Sequence, residues 1–223
     1  MRVRYEVWPF IIISIFFGAL LSLALMFAGV SFYCLWGGIL AIILIAYLLY
    51  FFRDPEMTIP SEPNAVVAGA SGVIAQISHV HEKRFLNCDT VRISIFLSLF
   101  DVHVNRAPIA GMAVFLGYFA GQHVFTFKEK SSDVNQHNSI LITGQTRCLV
   151  RQIVGPVARR VVYFLDHKNP TTVSKGQRIG MMKFGSRLDM YFPANEISVL
   201  CKIGEVVVAG ETIIGRLTGG SNA

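Results

Sequence analysis

The chain has 223 residues, and its 20 lysines and arginines outnumber its 14 aspartates and glutamates, which gives a formal net charge of +6. This length predicts one folded domain with an appendage. A basic chain suits an anionic membrane surface or nucleic acid. We expect no nucleic-acid partner, because the sequence contains no zinc-finger spacing, recognition-helix pattern or aromatic RNA-binding signature. The four cysteines share no metal-binding or redox spacing and are predicted to be reduced core residues.

The N-terminal 52 residues are the most apolar part of the chain. No charged residue occurs between Glu6 and Arg53, and this stretch is long enough for two helical spans, Pro9–Val30 and Phe32–Phe52. We therefore predict a transmembrane helical hairpin over residues 1–52. A cleaved signal peptide and a buried pair of apolar helices are the alternative interpretations, and the second unbroken apolar run argues against the signal peptide.

The basic residues around this segment predict its orientation. Arg2 and Arg4 precede the first span, Arg53 follows the second, and no lysine or arginine lies between them. The positive-inside rule then places both ends in the cytoplasm. We expect a protein of the inner (cytoplasmic) membrane, with a proline-rich linker over residues 53–63 and a cytoplasmic domain over residues 64–223.

The part of the chain beyond the linker has the pattern of short strands. Val91–Leu99 is rich in β-branched and aromatic residues, and Cys148–Val154 alternates polar with apolar residues. No long amphipathic helix pattern occurs after residue 55. Glycines precede short β-type runs in Ile203–Ile213, with the spacing of hairpins in barrel-sandwich domains. We predict a mainly β (β-rich α+β) domain with barrel-sandwich-like hairpins.

The bond between Gly185 and Ser186 has the most specific chemical consequence in the sequence. It lies between two β-type runs, and Ser186 begins the last 38 residues of the chain. A serine hydroxyl held in a strained turn can attack the preceding carbonyl to form an ester. Elimination from that ester leaves a new chain that begins with a pyruvoyl group. Alone, a Gly-Ser pair is an ordinary turn, so the prediction depends on the surrounding sequence.

Four blocks of sequence resemble the short-form bacterial phosphatidylserine decarboxylases, and they occur in the same order as in that family. They are Phe51–Glu56, the Asp-x-His segment Phe96–Gly111, Gln152–Val161 and the processing segment Gly176–Pro193. The resemblance covers essentially the whole chain. It implies a membrane-anchored proenzyme that converts phosphatidylserine to phosphatidylethanolamine in phospholipid biosynthesis.

The resemblance also implies autocatalytic cleavage between Gly185 and Ser186. Residues 1–185 would become the β chain, and residues 186–223 the α chain with a covalent pyruvoyl group formed from Ser186. Decarboxylation of an amino acid needs an electron sink, and a protein-bound ketone supplies one by forming an imine with the substrate amine. We expect no pyridoxal phosphate and no metal. The expected partners are phosphatidylserine in the membrane, the companion chain of the same proenzyme, and further copies in a homo-oligomer.

Asp101 and His103 are the next candidate catalytic residues. Two positions apart on a strand, their side chains would share one face, and the carboxylate would orient the imidazole or raise its basicity. In longer relatives the histidine of this block is linked to decarboxylation. The resemblance therefore implies that His103 protonates the Cα carbanion with support from Asp101. The alternative is a strand-edge aspartate and a core histidine bonded to the backbone.

Two departures from the family pattern affect the activation of Ser186. Ser71 stands where the family usually has the aspartate of a Pro-Ala-Asp-Gly segment, and Arg106 stands where longer relatives have a relay histidine. Another group must then activate Ser186, and the candidate bases are Asp101, His103 and His137. His137 has an alternative interpretation as a loop residue without a role, since Gly121–Asn138 is predicted to be a polar loop or an active-site lid.

Four arginines are candidates for binding the substrate phosphate, because guanidinium groups match phosphate geometry. They are Arg106, Arg159, Arg160 and Arg187, of which Arg187 adjoins Ser186. Surface or structural arginine is the alternative interpretation for each.

Two other functions stay open at this point. One is a decarboxylase for another serine-bearing lipid or a small amino acid. The other is a membrane-tethered, non-catalytic barrel-sandwich module that binds a partner, because a chain unable to cleave itself would be inert. A C-terminal fragment on a denaturing gel separates an enzyme from a binding module.

Overall fold

The computed structural model describes residues 2–30, 35–122, 124, 131–155, 161–183 and 186–218. The predicted residues Arg159, Arg160 and Gly185 lie outside the described residues. The chain divides into two compact units, Met1–Glu56 and Met57–Ala223.

Two apolar helices form most of the first unit. Helix α1 covers Trp8–Phe27 after a 3-10 turn at Tyr5–Val7, and α2 covers Leu35–Phe51. The helices approach closely at two glycines, because a Cβ added to Gly18 would lie 2.6 Å from the carbonyl oxygen of Gly37. Such small residues at a helix crossing are typical of membrane helices.

The predicted membrane hairpin is seen in part. The helical segment Tyr5–Phe27 is long and apolar enough to cross a bilayer. The described part of helix α2 has 17 residues, which at 1.5 Å per residue is about 26 Å. The two ends of the pair meet outside the helices, where strand β1 (Arg2–Val3) pairs with β2 (Arg53–Asp54).

The second unit is built from strands. In chain order they are β3 (Ala65–Val67), β4 (Gly72–Glu82), β5 (Cys88–Leu97), β6 (Val104–Arg106), β7 (Gly111–Phe119), β8 (His137–Thr143), β9 (Arg147–Val154), β10 (Val161–Tyr163), β11 (Thr171–Val173), β12 (Arg178–Met182), β13 (Ser186–Pro193), β14 (Ile197–Val199), β15 (Val206–Val207) and β16 (Ile213–Leu217). Within the described part of this unit, the single helix is α3 (Ser131–Val134). The predicted β-rich fold is therefore confirmed.

Eight of these strands form the main sheet, in the order β11-β7-β8-β9-β13-β5-β4-β15. Two three-stranded sheets accompany it, with the orders β10-β12-β6 and β14-β16-β3. The segment Ile203–Ile213 differs from the hairpin expected for it. Strand β15 pairs with β4, whereas β16 pairs with β14 and β3.

Strand β13 lies at the centre of the main sheet, and all eight of its residues are buried. Side chains alternate between the faces of a strand. Leu188, Met190 and Phe192 therefore share one face, where they belong to the hydrophobic core. Arg187 and Asp189 lie on the opposite face and pair with each other. One face of β13 is thus apolar, whereas the opposite face holds the buried Arg187–Asp189 ion pair and a smaller apolar cluster that includes Leu149 and Tyr191.

Candidate active site

Ser186 is the first residue of β13, and its position in the sheet is fixed on both sides. Its backbone partners are Leu97 of β5 and Val154 of β9. The side chain is completely buried, and its Oγ makes no hydrogen bond to any described residue. An unpaired buried polar group costs about 1–3 kcal/mol, so native proteins keep one where a reaction or ligand requires it.

The alternation of β13 places Ser186 on the core face of the sheet, with Leu188. Strand β6 lies against this face, because the Gln152 side chain of β9 donates a hydrogen bond of 2.7 Å to the side chain of Asn105. Gln152 is the cross-strand partner of Leu188 and therefore shares its face. The space beside Ser186 is thus enclosed between two β layers.

His103 directly precedes β6 and is completely buried. Its carbonyl oxygen accepts a hydrogen bond of 3.2 Å from the amide of Met182, four residues before Ser186. Its ring Nδ1 lies 2.9 Å from the carbonyl oxygen of Asp101. A carbonyl oxygen can only accept, so Nδ1 carries the proton and Nε2 of the neutral ring carries the lone pair. This tautomer suits His103 to take up or give a proton at Nε2.

The expected contact between the Asp101 carboxylate and the imidazole was wrong. Asp101 and His103 do not lie on a strand, because β5 ends at Leu97 and β6 begins at Val104. The carboxylate Oδ2 instead accepts hydrogen bonds from the backbone N and the Oγ of Ser98, both 2.7 Å long. Asp101 therefore closes a turn with its side chain and orients His103 with its backbone carbonyl.

Arg187 was predicted to bind substrate, and the structure places its side chain elsewhere. It points to the face opposite Ser186, since neighbouring residues of a strand alternate. Its Nε lies 2.7 Å from Asp189 Oδ1, and its Nη2 donates to Ser94 Oγ at 2.6 Å and to Gln76 Oε1 at 3.0 Å. The side chain is 1% exposed. These contacts indicate a structural arginine in the polar layer of the sheet.

Arg106, the other predicted substrate ligand, is also buried. Its Nη1 donates a hydrogen bond of 2.9 Å to the carbonyl of Gly176, and its backbone N donates to the carbonyl of Gly69 at 2.8 Å. These bonds join the end of β6 to two neighbouring loops. The contacts described for Arg106 are thus to the protein's own backbone.

Ser71 and His137 bear on the question of which group activates Ser186. Ser71 Oγ accepts a hydrogen bond of 3.0 Å from the backbone N of Ala209, so it serves as a buried backbone acceptor. His137 pairs with Ile153, whose partner on the other side is Arg187, and therefore lies on the face opposite Ser186. Burial lowers the pKa of His137. Its position on the wrong face argues against His137 as the base.

The side chains of Asn105 and Gln152 were not identified from the sequence, although both are fully buried near Ser186. A signal was present in the pattern of Cys148–Val154, because Gln152 occupies a position that alternation directs toward the core. Among the described residues, no three histidine, cysteine or acidic side chains form a cluster that could hold a metal.

Comparison with known proteins gives one consistent family. The model of the family described as phosphatidylserine decarboxylase matches residues 44–215. A phosphatidylserine decarboxylase proenzyme of Carboxydothermus hydrogenoformans is 41% identical over 185 residues, which cover 82% of this chain and 86% of that relative. Proenzymes of the same name from Symbiobacterium thermophilum and Magnetococcus marinus are 37% and 38% identical, over 95% and 97% of this chain and 94% and 96% of theirs.

Proposed function

Because this chain belongs to the phosphatidylserine decarboxylase family, we propose that it is a proenzyme that cleaves itself between Gly185 and Ser186. Its activity is the decarboxylation of phosphatidylserine to phosphatidylethanolamine. The observation that carries this proposal is the Ser186 hydroxyl, which is buried at the start of a central strand without a hydrogen-bond partner among the described residues. Such a group is poised to react with the peptide bond that it follows.

Self-cleavage begins at the Ser186 hydroxyl. Its Oγ forms a bond to the preceding carbonyl carbon while the carbon–nitrogen bond breaks, and the hydroxyl proton ends on the released amine. The resulting ester then loses the Cα proton of residue 186, and the carboxylate of residue 185 leaves with Oγ. Water hydrolyses the remaining unsaturated amine to a ketone and ammonia. The products are a chain of residues 1–185 and a chain of residues 186–223 that begins with a pyruvoyl group.

The surroundings of residue 186 fit a small uncharged group of this kind. Leu97 and Val154 flank it along the sheet, and Leu188 follows it on the same face. A pyruvoyl group at this position supplies the electrophilic ketone that accepts the electron pair left when carbon dioxide departs.

His103 is the residue proposed to move the proton in decarboxylation. Its carbonyl oxygen accepts a hydrogen bond from the amide of Met182, four residues before Ser186, and its ring Nδ1 is hydrogen-bonded to the Asp101 carbonyl. With Nδ1 donating to that carbonyl, Nε2 is the nitrogen that first takes up a proton and then delivers it to the substrate Cα. Asp101 is proposed as a positioning residue, because its carboxylate shapes the turn that holds the carbonyl in place.

The N-terminal unit is proposed to keep the enzyme at its lipid substrate. The length and composition of Tyr5–Phe27 indicate membrane association. Arg2, Arg4 and Arg53 flank the apolar helices, and the positive-inside rule favours a catalytic domain on the cytoplasmic side of the inner membrane. A two-tailed lipid could then reach the enzyme without leaving the bilayer.

The test follows the fate of Ser186 in the full-length protein in membranes. The purified protein should show a 38-residue C-terminal fragment, lighter than a serine-terminated fragment by the mass of ammonia. Ser186→Ala should abolish both cleavage and the formation of phosphatidylethanolamine. Active protein in which residue 186 is an unmodified serine would falsify the proposal. A lipid headgroup assay separates phosphatidylserine from other serine-bearing lipids, and a stable intact chain supports the binding module.

A further inference from the structure

Two amide side chains meet inside the core on the same side of the main sheet as Ser186. Gln152 Nε2 donates to Asn105 Oδ1 at 2.7 Å, and both residues are 0% exposed. The two residues are 47 positions apart in the sequence and lie in different sheets. A polar link of this kind across two β layers is unusual in an apolar core, where buried polar groups require full pairing.

The sheet register places this pair beside Ser186. Ser186 pairs with Val154, and Gln152 lies two residues before Val154 on the same strand. Gln152 is therefore the diagonal neighbour of Ser186 on the same face, at a Cα separation of roughly 7–8 Å that long side chains can bridge. Asn105 follows His103 by two residues, and the ladder between β6 and β12 continues to the His103 carbonyl. The side chains of Asn105 and His103 thus share one side of β6.

The pair leaves part of its hydrogen-bonding capacity unused. Asn105 Nδ2 and Gln152 Oε1 have no hydrogen-bond partner among the described residues, and neither has Ser186 Oγ. If both amides are flipped, the hydrogen bond between them is reversed, and the pair still leaves one donor and one acceptor available. A half-satisfied polar network is less stable than an apolar core of the same shape. Three such groups in one buried layer therefore point to a role in the reaction at Ser186.

We propose that Asn105 and Gln152 position Ser186 and stabilise the first step of self-cleavage, an inference that rests on the proposed function. The acceptor takes the hydrogen bond of the Ser186 hydroxyl and turns an oxygen lone pair toward the preceding carbonyl carbon. The donor binds the carbonyl oxygen as it gains negative charge during the attack. Neither amide removes a proton, so the pair acts by orientation and by charge stabilisation.

This assignment accounts for the serine at position 71. The family pattern has a carboxylate there, whereas Ser71 is uncharged and its Oγ binds the backbone N of Ala209. The Asp101 carboxylate is held by Ser98, and His137 lies on the opposite face of the sheet. An oriented hydroxyl with a prepared site for the oxyanion needs less help from a charged base. The amide pair thus activates the Ser186 hydroxyl by orienting it, whereas the missing carboxylate would activate it through its negative charge.

The decisive variant is the double substitution Asn105→Leu with Gln152→Met, which replaces both amides by apolar side chains of similar size. Removing both partners of a buried polar pair is nearly neutral or stabilising when the pair is only structural. The double variant should unfold at or above the wild-type temperature. Its C-terminal fragment should appear about 10²–10³ times more slowly, the range found when an oxyanion donor is lost. Cleavage at the wild-type rate overturns the proposal.

Asn105→Asp tests the donor alone and serves if the double variant does not fold. It keeps the Oδ1 atom that accepts from Gln152 and replaces the Nδ2 donor by a carboxylate oxygen, which accepts hydrogen bonds when ionised. We expect cleavage at least tenfold slower, and an unchanged rate overturns the role of the donor. Ser139→Ala is the matched control. Ser139 is also buried with an Oγ that lacks a partner among the described residues, but it pairs with Arg151 on the face opposite Ser186. Its cleavage rate should equal that of the wild type.

Hydroxylamine distinguishes the step at which the pair acts, because it cuts an ester but leaves a peptide bond intact. The double variant should stay uncut in hydroxylamine, since it stops before the ester forms. Release of the fragment would show that the ester accumulates, and would overturn the assignment to the first step.

The wild-type chain separates the two proposals. If it is never cleaved, the proposed function fails, whereas normal cleavage of both wild type and variants removes only this inference.

Discussion

Replacing Arg187 by methionine separates a structural arginine from one that binds the substrate phosphate. The substitution removes the ion pair with Asp189 and the hydrogen bonds to Ser94 and Gln76. It leaves Asp189, which is 0% exposed, with the 2.6 Å hydrogen bond from Ser132. Breaking one side of a buried ion pair costs about 3–5 kcal/mol. For a domain of this size each kcal/mol lowers Tm by about 2–4 °C, so we expect a fall of roughly 6–20 °C.

Thermal unfolding of the full-length protein in detergent measures this change, and KM for phosphatidylserine is measured at a temperature where the variant is folded. Arg187→Met combined with Asp189→Leu should recover most of the lost stability, because it leaves no unpaired charge. Arg216→Met is the control. Its ion pair with Glu62 is 2.8 Å long but about half exposed, so its loss should change stability by no more than about 1 kcal/mol.

The two roles of Arg187 predict opposite results. A structural arginine predicts a large fall in Tm with KM close to the wild-type value. An unchanged Tm together with a KM raised tenfold or more would refute the structural assignment, because it would mean that the guanidinium binds the phosphate despite its burial.

Three further predictions concern residues around the site. Asp101→Asn should keep an oxygen that accepts the hydrogen bonds from Ser98 and should retain most of the turnover, whereas Asp101→Ala should lose about 1–3 kcal/mol of folding stability. Complete inactivity of the asparagine variant in a decarboxylation assay would contradict the role of Asp101 in the turn. His103→Ala should retain some cleavage on a denaturing gel but lose decarboxylation, and full turnover would remove His103 from the mechanism. Burial lowers the pKa of His137 below its usual value near 6.5, so the unfolded chain binds the extra proton more readily. The stability that depends on neutral His137 is therefore present at a pH above that usual value and is lost as the pH falls through the lowered pKa. His137→Gln should weaken the dependence of the unfolding free energy on pH. An unfolding profile identical to that of the wild type would contradict this role of His137.

Much of the fold was accessible from local patterns. The alternation in Cys148–Val154 predicted a strand, and β9 covers Arg147–Val154. Val91–Leu99 overlaps β5, which ends at Leu97. Alternation and β-branched composition are properties of residues a few positions apart, so they can be recognised without knowledge of the partner strands. The same local signals do not say which strands pair. Strand β15, which lies within Ile203–Ile213, and strand β16, which begins at Ile213, accordingly belong to different sheets.

The candidate site was more difficult to predict, because its geometry depends on contacts between distant parts of the chain. Ser186 was identified from its bond to Gly185 and from the family resemblance of the blocks around it. Adjacency in sequence then made Arg187 a candidate as well, although alternation along β13 sends it to the opposite face. Asp101 was expected on a strand, but its own side chain bonds to Ser98 and turns the chain before β6 begins.

By itself the sequence determined the chemistry that is available: an apolar N-terminal segment, a β-rich domain, a serine after glycine, and a nearby histidine. These follow from residue types and short-range order, which do not depend on the rest of the fold. Only the tertiary structure decided which groups face one another. The register of β9 against β13 sets Gln152 beside Ser186, and the packing of β6 brings Asn105 to Gln152. Such juxtapositions arise from pairing between strands far apart in the chain, where no local pattern carries the information.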